Sequence, residues 1–412
     1  MKYGLIGERL GHSFSREIHA ACADYEYELC ELAPSELEGF MRAAEFCAVN
    51  VTIPYKQAVI PFLHGIDARA EKIGAVNTVV NRGGKLYGYN TDFYGLSELI
   101  AHAGIELYGK KVLILGTGGT SKTANAVCSE LGAREILTVS RSAGDGVITY
   151  GEAKKCHSDA DVIINTTPCG MFPNPDGCAI DISNFDRLSG VVDAVYNPLR
   201  TDLVLNAKKR GIPAEGGLYM LVSQGVRASR LFVDGEADAP TEKIYAKIRS
   251  DKENIVLTGM PASGKTTVGR ALALKLGREF YDTDVLIEKK TGKKISDIFA
   301  ECGEAGFRDI ESDVVRHTAN TVTGAVIATG GGAILREENV HALKRSGRIY
   351  FLDRAIEKLV PTVDRPTASS AEAIRKRHAE RYEIYRSCAD VRVVTDEVVS
   401  HTVNKIEEDF LK

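Results

Sequence analysis

The stretch "IVLTGMPASGKTTVGR", residues 255–270, narrows the architecture more than any other part of the chain. A strand-length apolar run feeds a loop in which Gly259, Gly264, Lys265 and Thr266 fill every fixed position of GxxxxGK[ST], and a helix-like segment follows. Strand, glycine loop and helix in that order turn backbone N–H groups and a helix N-terminus toward one point, which suits the phosphates of a nucleotide. Lys265 is placed to reach the β- and γ-phosphates, and the Thr266 hydroxyl to ligate Mg²⁺. Ala262, Ser263 and Thr267 complete the candidate ATP cradle.

A second glycine-rich loop, "GTGGTS" at 116–121, lies upstream and has a different design. It follows the apolar run "KKVLIL" and opens a helical pattern, as a dinucleotide turn does, with Gly116, Gly118, Gly119 and Thr120 around the expected pyrophosphate. Ser121 stands where the strict GxGxxG has its last glycine. The next strand ends "TVSRS", so Ser140 and Arg141 occupy the region where an NAD-preferring site usually has an acid. A guanidinium about 4 Å from a 2′-phosphate gains on the order of 4 kcal/mol per charge pair at an effective dielectric of 20, which favours NADP.

Two loops of this kind fit a chain of 412 residues, long enough for two or three compact units. Strand-like runs at 110–116, 134–140, 161–167 and 190–196 alternate with helical spacing, which predicts α/β architecture with largely parallel sheets. A polar stretch at 234–254 precedes the strand of the ATP loop, so a boundary is expected near residue 251. A net charge of −4 gives no basic stripe for nucleic acid, and no apolar run is long enough for a signal peptide or a membrane span. Nine cysteines without a CxxC pair, an odd number, point to a reducing cytoplasm rather than a disulfide framework.

Beyond the ATP loop, "FYDTDVLIEKKTGKKISDIFAECGEAGFRDIE" and "ATGGGA" give the region 253–412 a specific likeness: it resembles shikimate kinase. The resemblance implies that Asp282 of "DTD" organises Mg²⁺ and that Asp284 orients the attacking hydroxyl and is the candidate to take its proton. Arg308 of "FRDIE" and Arg381 would clamp a substrate carboxylate, each as a charge-assisted contact of about 1.5–3 kcal/mol. Gly330, Gly331 and Gly332 would let the substrate ring approach the backbone. The lid departs from the family string: Arg365 and Pro366 are kept, with Arg365 assigned to phosphate stabilisation, but Thr367 and Ala368 replace leucines.

The first 250 residues are similar to shikimate dehydrogenase. "GERLGHSFSREIH", "NVTIPYK", "IGAVNT", "GYNTDFYG", "NTTPCGM", "DAVYNPLRT" and "GGLYMLVSQG" follow in family order, with Arg9 and Arg16 in place of prolines. The resemblance makes Lys56 and Asp92 the catalytic pair, and leaves open which of them transfers the proton. Ser13, Ser15 and Thr52 would offer hydroxyls to the substrate, Asn77 and Gln224 amides, and Tyr196 a phenol on the carboxylate side. His12 and His19 have no nucleophile or metal set beside them and read as structural; Cys169 reads as a small packed side chain.

The fold expected is therefore α/β: a two-lobed dehydrogenase with a Rossmann-like NADP-binding domain, followed by a P-loop kinase domain with a parallel sheet. The substrate lobe is expected over 1–100, completed by about 218–250, the NADP domain over 101–217, and the kinase domain over 251–412. NADPH-dependent reduction of 3-dehydroshikimate and Mg·ATP-dependent phosphorylation of shikimate would then share one chain. Its partners are expected to be small-molecule substrates, with no nucleic acid and no membrane, and a homodimer is left open. The tether raises local concentration to roughly millimolar. Two alternatives stand beside this reading: a C-terminal unit reduced to a nucleotide-binding regulator, based on the altered lid, and a first unit acting as a quinate or quinate/shikimate oxidoreductase.

Overall fold

A computed structural model describes residues 1–11, 13–235, 239–359 and 371–412. The chain forms two compact units, Met1–Ile248 and Arg249–Lys412, and the change of unit falls slightly before 251, inside the helix Thr241–Lys252. His12, Arg365, Pro366, Thr367 and Ala368 lie outside the described residues.

In the first unit one sheet comprises β1 (Tyr3–Gly7), β2 (Tyr27–Glu31), β3 (Ala48–Val51), β4 (Gly65–Ile66), β5 (Thr78–Arg82) and β6 (Lys85–Tyr89), in the order β2-β1-β3-β5-β6-β4. Strand β1 pairs parallel with β2 and β3, but β5 runs antiparallel to β3 and β6. The exception to the parallel expectation is local in origin. Gly83 and Gly84, both with positive φ, close a two-residue hairpin between Arg82 and Lys85. The hairpin returns the chain so that Asn77, before β5, lies beside Thr91 and Asp92, after β6.

The second sheet of this unit comprises β7 (Lys111–Leu115), β8 (Glu135–Ser140), β9 (Val147–Thr149), β10 (Val162–Asn165), β11 (Gly190–Asp193) and β12 (Ala214–Glu215). Its order is β12-β11-β10-β7-β8-β9, parallel at every pairing. Both faces are covered: Leu113, Leu115 and Ile163 pack into one core, and Val112, Ile114, Val162 and Ile164 into the other. Two-sided burial explains why these strands read as unbroken apolar runs. Sheet growth reverses direction between β7 and β10, which opens a crevice at the carboxyl ends of the strands. The helix Leu218–Phe232 then packs on the helices Asp92–His102 and Ser15–Cys22.

The second unit has a single parallel sheet of β13 (Asn254–Thr258), β14 (Phe280–Asp282), β15 (Val326–Ala328), β16 (Gly347–Asp353) and β17 (Val391–Val394), ordered β14-β15-β13-β16-β17. Ile255 and Leu257 face the helices Lys265–Leu276 and Val399–Phe410, whereas Val256 faces the opposite core. Each such buried side chain contributes about 1.5–3 kcal/mol. A long helical segment, Ile295–Thr321, breaks at Gly303 into two helices, the second of which carries Arg308 and Glu311. Among the described residues no helix is long and apolar enough to cross a membrane.

Candidate active sites

In the first unit a cavity of ≈ 730 Å³ collects every residue expected on the substrate side: Lys56 and Asp92, with Asn77 and Gln224, and with Ser13, Ser15, Thr52 and Tyr196. Lys56 follows β3, and Asp92 begins the helix after β6. Lys56 Nζ donates to Asp92 Oδ2 at 2.5 Å, and the two side chains are 14% and 8% exposed. Asn77 Nδ2 donates to the other oxygen, Oδ1, at 2.9 Å, and also lies 3.0 Å from Thr91 Oγ1 and 3.3 Å from Gln224 Oε1. Thr91 closes the network, its backbone N–H donating to Asn77 Oδ1 at 2.7 Å. A buried ion pair is tolerable only when its remaining lone pairs are met in this way. Ser13 Oγ donates to Ser15 Oγ at 3.0 Å. Burial pushes the Tyr196 phenol above its ordinary range, and a hydrogen bond with Ser13 pulls part of the way back.

Thr120, from the glycine turn, lines the same cavity, so the turn and the Lys56–Asp92 pair share one space. Gly116 has φ 109°, and a Cβ there would lie 2.9 Å from Thr166 Oγ1, so no side chain fits between the turn and β10's loop. Gly118 caps the helix Gly119–Glu130, so two residues without side chains lead into the helix's first, unpaired N–H groups. Ser121 is buried at 2% exposure, in place of the third glycine. Ser140 ends β8, and Arg141 follows it exposed to solvent, near Tyr150. A bare turn with a solvent-facing guanidinium beyond the second strand fits a dinucleotide carrying a 2′-phosphate.

Sequence reading missed Asp193. It is fully buried, and burial pushes its carboxyl up to about 7 against the pull of three donors. Those donors are Asn165 Nδ2 at 2.9 Å, the Val195 N–H at 2.9 Å and Thr201 Oγ1 at 2.6 Å. The group ties the ends of β10 and β11 to the loop that carries Tyr196. In the sequence it closes the apolar run "GVVD" and opens the string "DAVYNPLRT", neither of which shows that it is buried. His19, read as structural, is buried between rings, stacks on Tyr27 at 3.9 Å and bonds Tyr25 through Nδ1; burial pulls its imidazole down to about 3.

In the second unit the glycine loop leaves β13, with Ala262 at φ 64° and Gly264 at φ 93°. Lys265 Nζ rests 2.8 Å from the Gly259 carbonyl and 2.9 Å from that of Met260. Ser263 Oγ is buried with no hydrogen-bond partner. An orphaned hydroxyl beside a folded-back lysine, with Thr267 in the first turn of the following helix, fits a bound polyphosphate. Thr266 Oγ1 donates to Asp282 Oδ2 at 2.7 Å, a hydroxyl–carboxylate pair of the kind that holds Mg²⁺ beside phosphate. Asp282 also accepts from the Asp284 N–H at 3.0 Å.

Asp284 and Glu311 both border Gly330: a Cβ there would lie 2.7 Å from an oxygen of each. A Cβ at Gly332 would fall 2.1 Å from the Arg308 guanidinium, so this wall consists of backbone. Arg308 donates to Glu311 at 2.5 Å and to Glu304 at 3.2 Å. Burial opposes the Arg308 charge, but Glu311 outweighs it and holds the guanidinium above its ordinary range. Glu311, 1% exposed, is raised by burial despite Arg308. Arg381 Nη1 donates to the Gly331 carbonyl at 3.3 Å, and Tyr385, which sequence reading passed over, donates its hydroxyl to the same oxygen.

Both units match known proteins. A family model for the shikimate dehydrogenase substrate binding domain matches residues 5–79. A shikimate dehydrogenase (NADP(+)) from Clostridium perfringens is 35% identical over 266 residues, 60% of this chain and 98% of that relative. The chain belongs to the shikimate dehydrogenase family. Among solved structures, shikimate dehydrogenase 1 from Peptoclostridium difficile superposes with a TM-score of 0.56 at 33% identity, covering 60% of this chain and 98% of that one. A chorismate mutase/shikimate 5-dehydrogenase fusion protein from Clostridium acetobutylicum gives a TM-score of 0.55 at 33% identity, covering 60% of this chain and 96% of that one. For the rest of the chain, the family model for shikimate kinase matches residues 261–410. A shikimate dehydrogenase and a shikimate kinase domain, Rossmann-like and P-loop in fold, thus share one chain, and the molecule is a bifunctional enzyme of that pathway.

Proposed function

We propose that the first unit reduces 3-dehydroshikimate with NADPH and that the second phosphorylates the 3-hydroxyl of the resulting shikimate with Mg·ATP. The observation that carries the reading is the Lys56–Asp92 pair at 2.5 Å inside the cavity that also takes Thr120 from the glycine turn. NADPH supplies the hydride. Both Asp92 oxygens accept bonds, from Lys56 and Asn77, so Lys56 is the donor of the pair, and its ammonium gives a proton to the developing alkoxide. Asp92 holds that ammonium in place. Ser13, Ser15, Thr52, Asn77, Tyr196 and Gln224 bind the ring and its carboxylate, and Gly116, Gly118, Gly119, Thr120, Ser140 and Arg141 hold NADP.

Mg·ATP supplies the transferred phosphoryl group. Gly259, Ala262, Ser263, Gly264 and Thr267 would cradle its phosphates, Lys265 would neutralise them, and Thr266 with Asp282 would hold the metal. Asp284 orients the attacking hydroxyl and accepts its proton, while Arg308 and Arg381 fix the carboxylate along the Gly330–Gly332 wall. Arg365 stabilises the transferred phosphate. We place the substrate lobe in 1–100 with 218–250, the NADP domain in 101–217 and the kinase in 251–412, the whole acting in the cytoplasm. Its cysteines are all free thiols, which supports that setting. A homodimer is the assembly to test by light scattering.

The deciding experiment supplies the full chain with 3-dehydroshikimate, NADPH and Mg·ATP. Shikimate 3-phosphate detected by mass spectrometry, with ADP release that depends on shikimate, is the expected result. Tight ATP binding without turnover would instead identify a regulatory C-terminal unit. NADP⁺ reduction faster with quinate than with shikimate would reassign the first.

A further inference from the structure

We infer that Arg377 is a third cationic contact of the acid pocket in the kinase unit, binding the substrate carboxylate beside Arg308 and Arg381. The inference rests on the kinase reading and names a residue which that reading does not use.

Arg377 lies one turn before Arg381 in the helix Ala371–Cys388, and residues four apart share a helix face. That face is oriented by Arg381 and Tyr385, which both donate to the Gly331 carbonyl. Arg377 therefore projects along the same side as the two groups that meet the glycine wall. Its Nη1 is buried and has no hydrogen-bond partner among the described residues, and Arg308 Nε is in the same state. The charges that surround it are Arg381, Glu304, Glu380 and Arg308. Burial, reinforced by Arg381, pulls the guanidinium below the usual arginine range.

The charge distribution indicates what is needed there. Glu311 and Glu304 hydrogen-bond Arg308 and Arg381 Nη1 donates to a neutral carbonyl, while Glu304 and Glu380 lie near Arg377 yet leave its Nη1 without a hydrogen bond among the described residues. A buried donor left unmet is unfavourable until an acceptor arrives, and a planar carboxylate can serve two guanidinium groups at once. A purely structural arginine meets its own partners, as Arg336 does with Asp309 and Ser312. An uncharged ring would leave the Arg377 donor unmatched.

The test compares shikimate with its methyl ester, in which the carboxylate charge is masked, as phosphoryl acceptors for the full chain, reading ADP release without NADP present. Arg377→Leu should raise KM for shikimate about tenfold or more, leave kcat within about twofold, and leave KM for ATP and for the ester unchanged. Arg377→Lys should recover part of the loss. Thermal melting checks the fold, and Arg377→Gln, which keeps length without charge, takes over if the leucine variant does not fold. An unchanged KM for shikimate in a chain whose wild type turns over overturns the inference alone. So does an equal rise for ester and acid, or a rise confined to ATP. Wild-type protein that releases no ADP in response to shikimate overturns the kinase reading and the inference with it.

Discussion

Lys56 and Asp92 of the first unit already neutralise each other at 2.5 Å, whereas Lys265 of the second rests on two carbonyl oxygens of its own loop. The dehydrogenase site is a closed network of side chains drawn from β3, the β5–β6 hairpin and a distant helix, and its polar atoms are matched before any ligand binds. The kinase site is framed by backbone, with Lys265 and Arg381 each donating to carbonyl oxygens, Arg308 paired with glutamates, and Ser263 Oγ unmet among the described residues. The difference follows the chemistry. Hydride transfer to a carbonyl needs one proton donor held at one atom, while phosphoryl transfer needs a surplus of positive charge to meet a polyanion.

The sharpest way to break this contrast is to delete one cation from each site. Lys56→Ala should lower kcat for 3-dehydroshikimate reduction by about 10²–10⁴-fold, with shikimate-dependent ADP release unchanged. Lys265→Ala should lower phosphoryl transfer by about 10²–10³-fold while NADPH oxidation stays within twofold. A loss of both activities in either variant would mean that the units depend on one another.

Asp193 sharpens the contrast at the level of stability. Its folded carboxyl titrates near 7, above an unfolded aspartate near 3.9, so the native state holds the proton longer than the unfolded chain. Stability from this group is therefore greatest at low pH and falls as pH rises from about 4 to 7, by up to about 2 kcal/mol between pH 5 and 7. Asp193→Asn keeps an acceptor for Asn165 and Val195 and a donor for Thr201, and should flatten that slope in thermal melts across the same range. A slope identical to wild type would refute the buried-acid account. The smallest effect is expected at the solvent edge, where exposure and salt screen the ion pair well below its unscreened strength: Arg141→Asp should shift the NADP-to-NAD preference of kcat/KM by about tenfold toward NAD.

Legibility differed between the sites for a physical reason. The ATP loop is contiguous, and its backbone requirements select residue types at fixed spacing, so Gly259 to Thr267 could be read directly. The Lys56–Asp92 pair spans two strands and a hairpin, and only likeness to a family connected it in advance. Asp193 escaped because the string "DAVYNPLRT", although it holds both Asp193 and Thr201, does not show that its first acid is buried, nor that it is bonded to Asn165 at the head of another string. Arg377 escaped for the opposite reason: "RKRHAERYEIYR" places cations around much of the helix, and packing against Gly331 decides which of them turn inward. The antiparallel β5 was written in Gly83-Gly84, a signal obscured by the prevailing strand–helix alternation.

The bare wall at 330–332 has a consequence for anyone wishing to retarget the kinase. A pocket lined by side chains can be reshaped one mutation at a time, but here even a methyl group at position 332 meets a guanidinium and one at 330 meets two carboxylates. New acceptor specificity is therefore most directly engineered by trading the charged groups opposite that wall, because a side chain added at 330 or 332 must first displace their flexible ends.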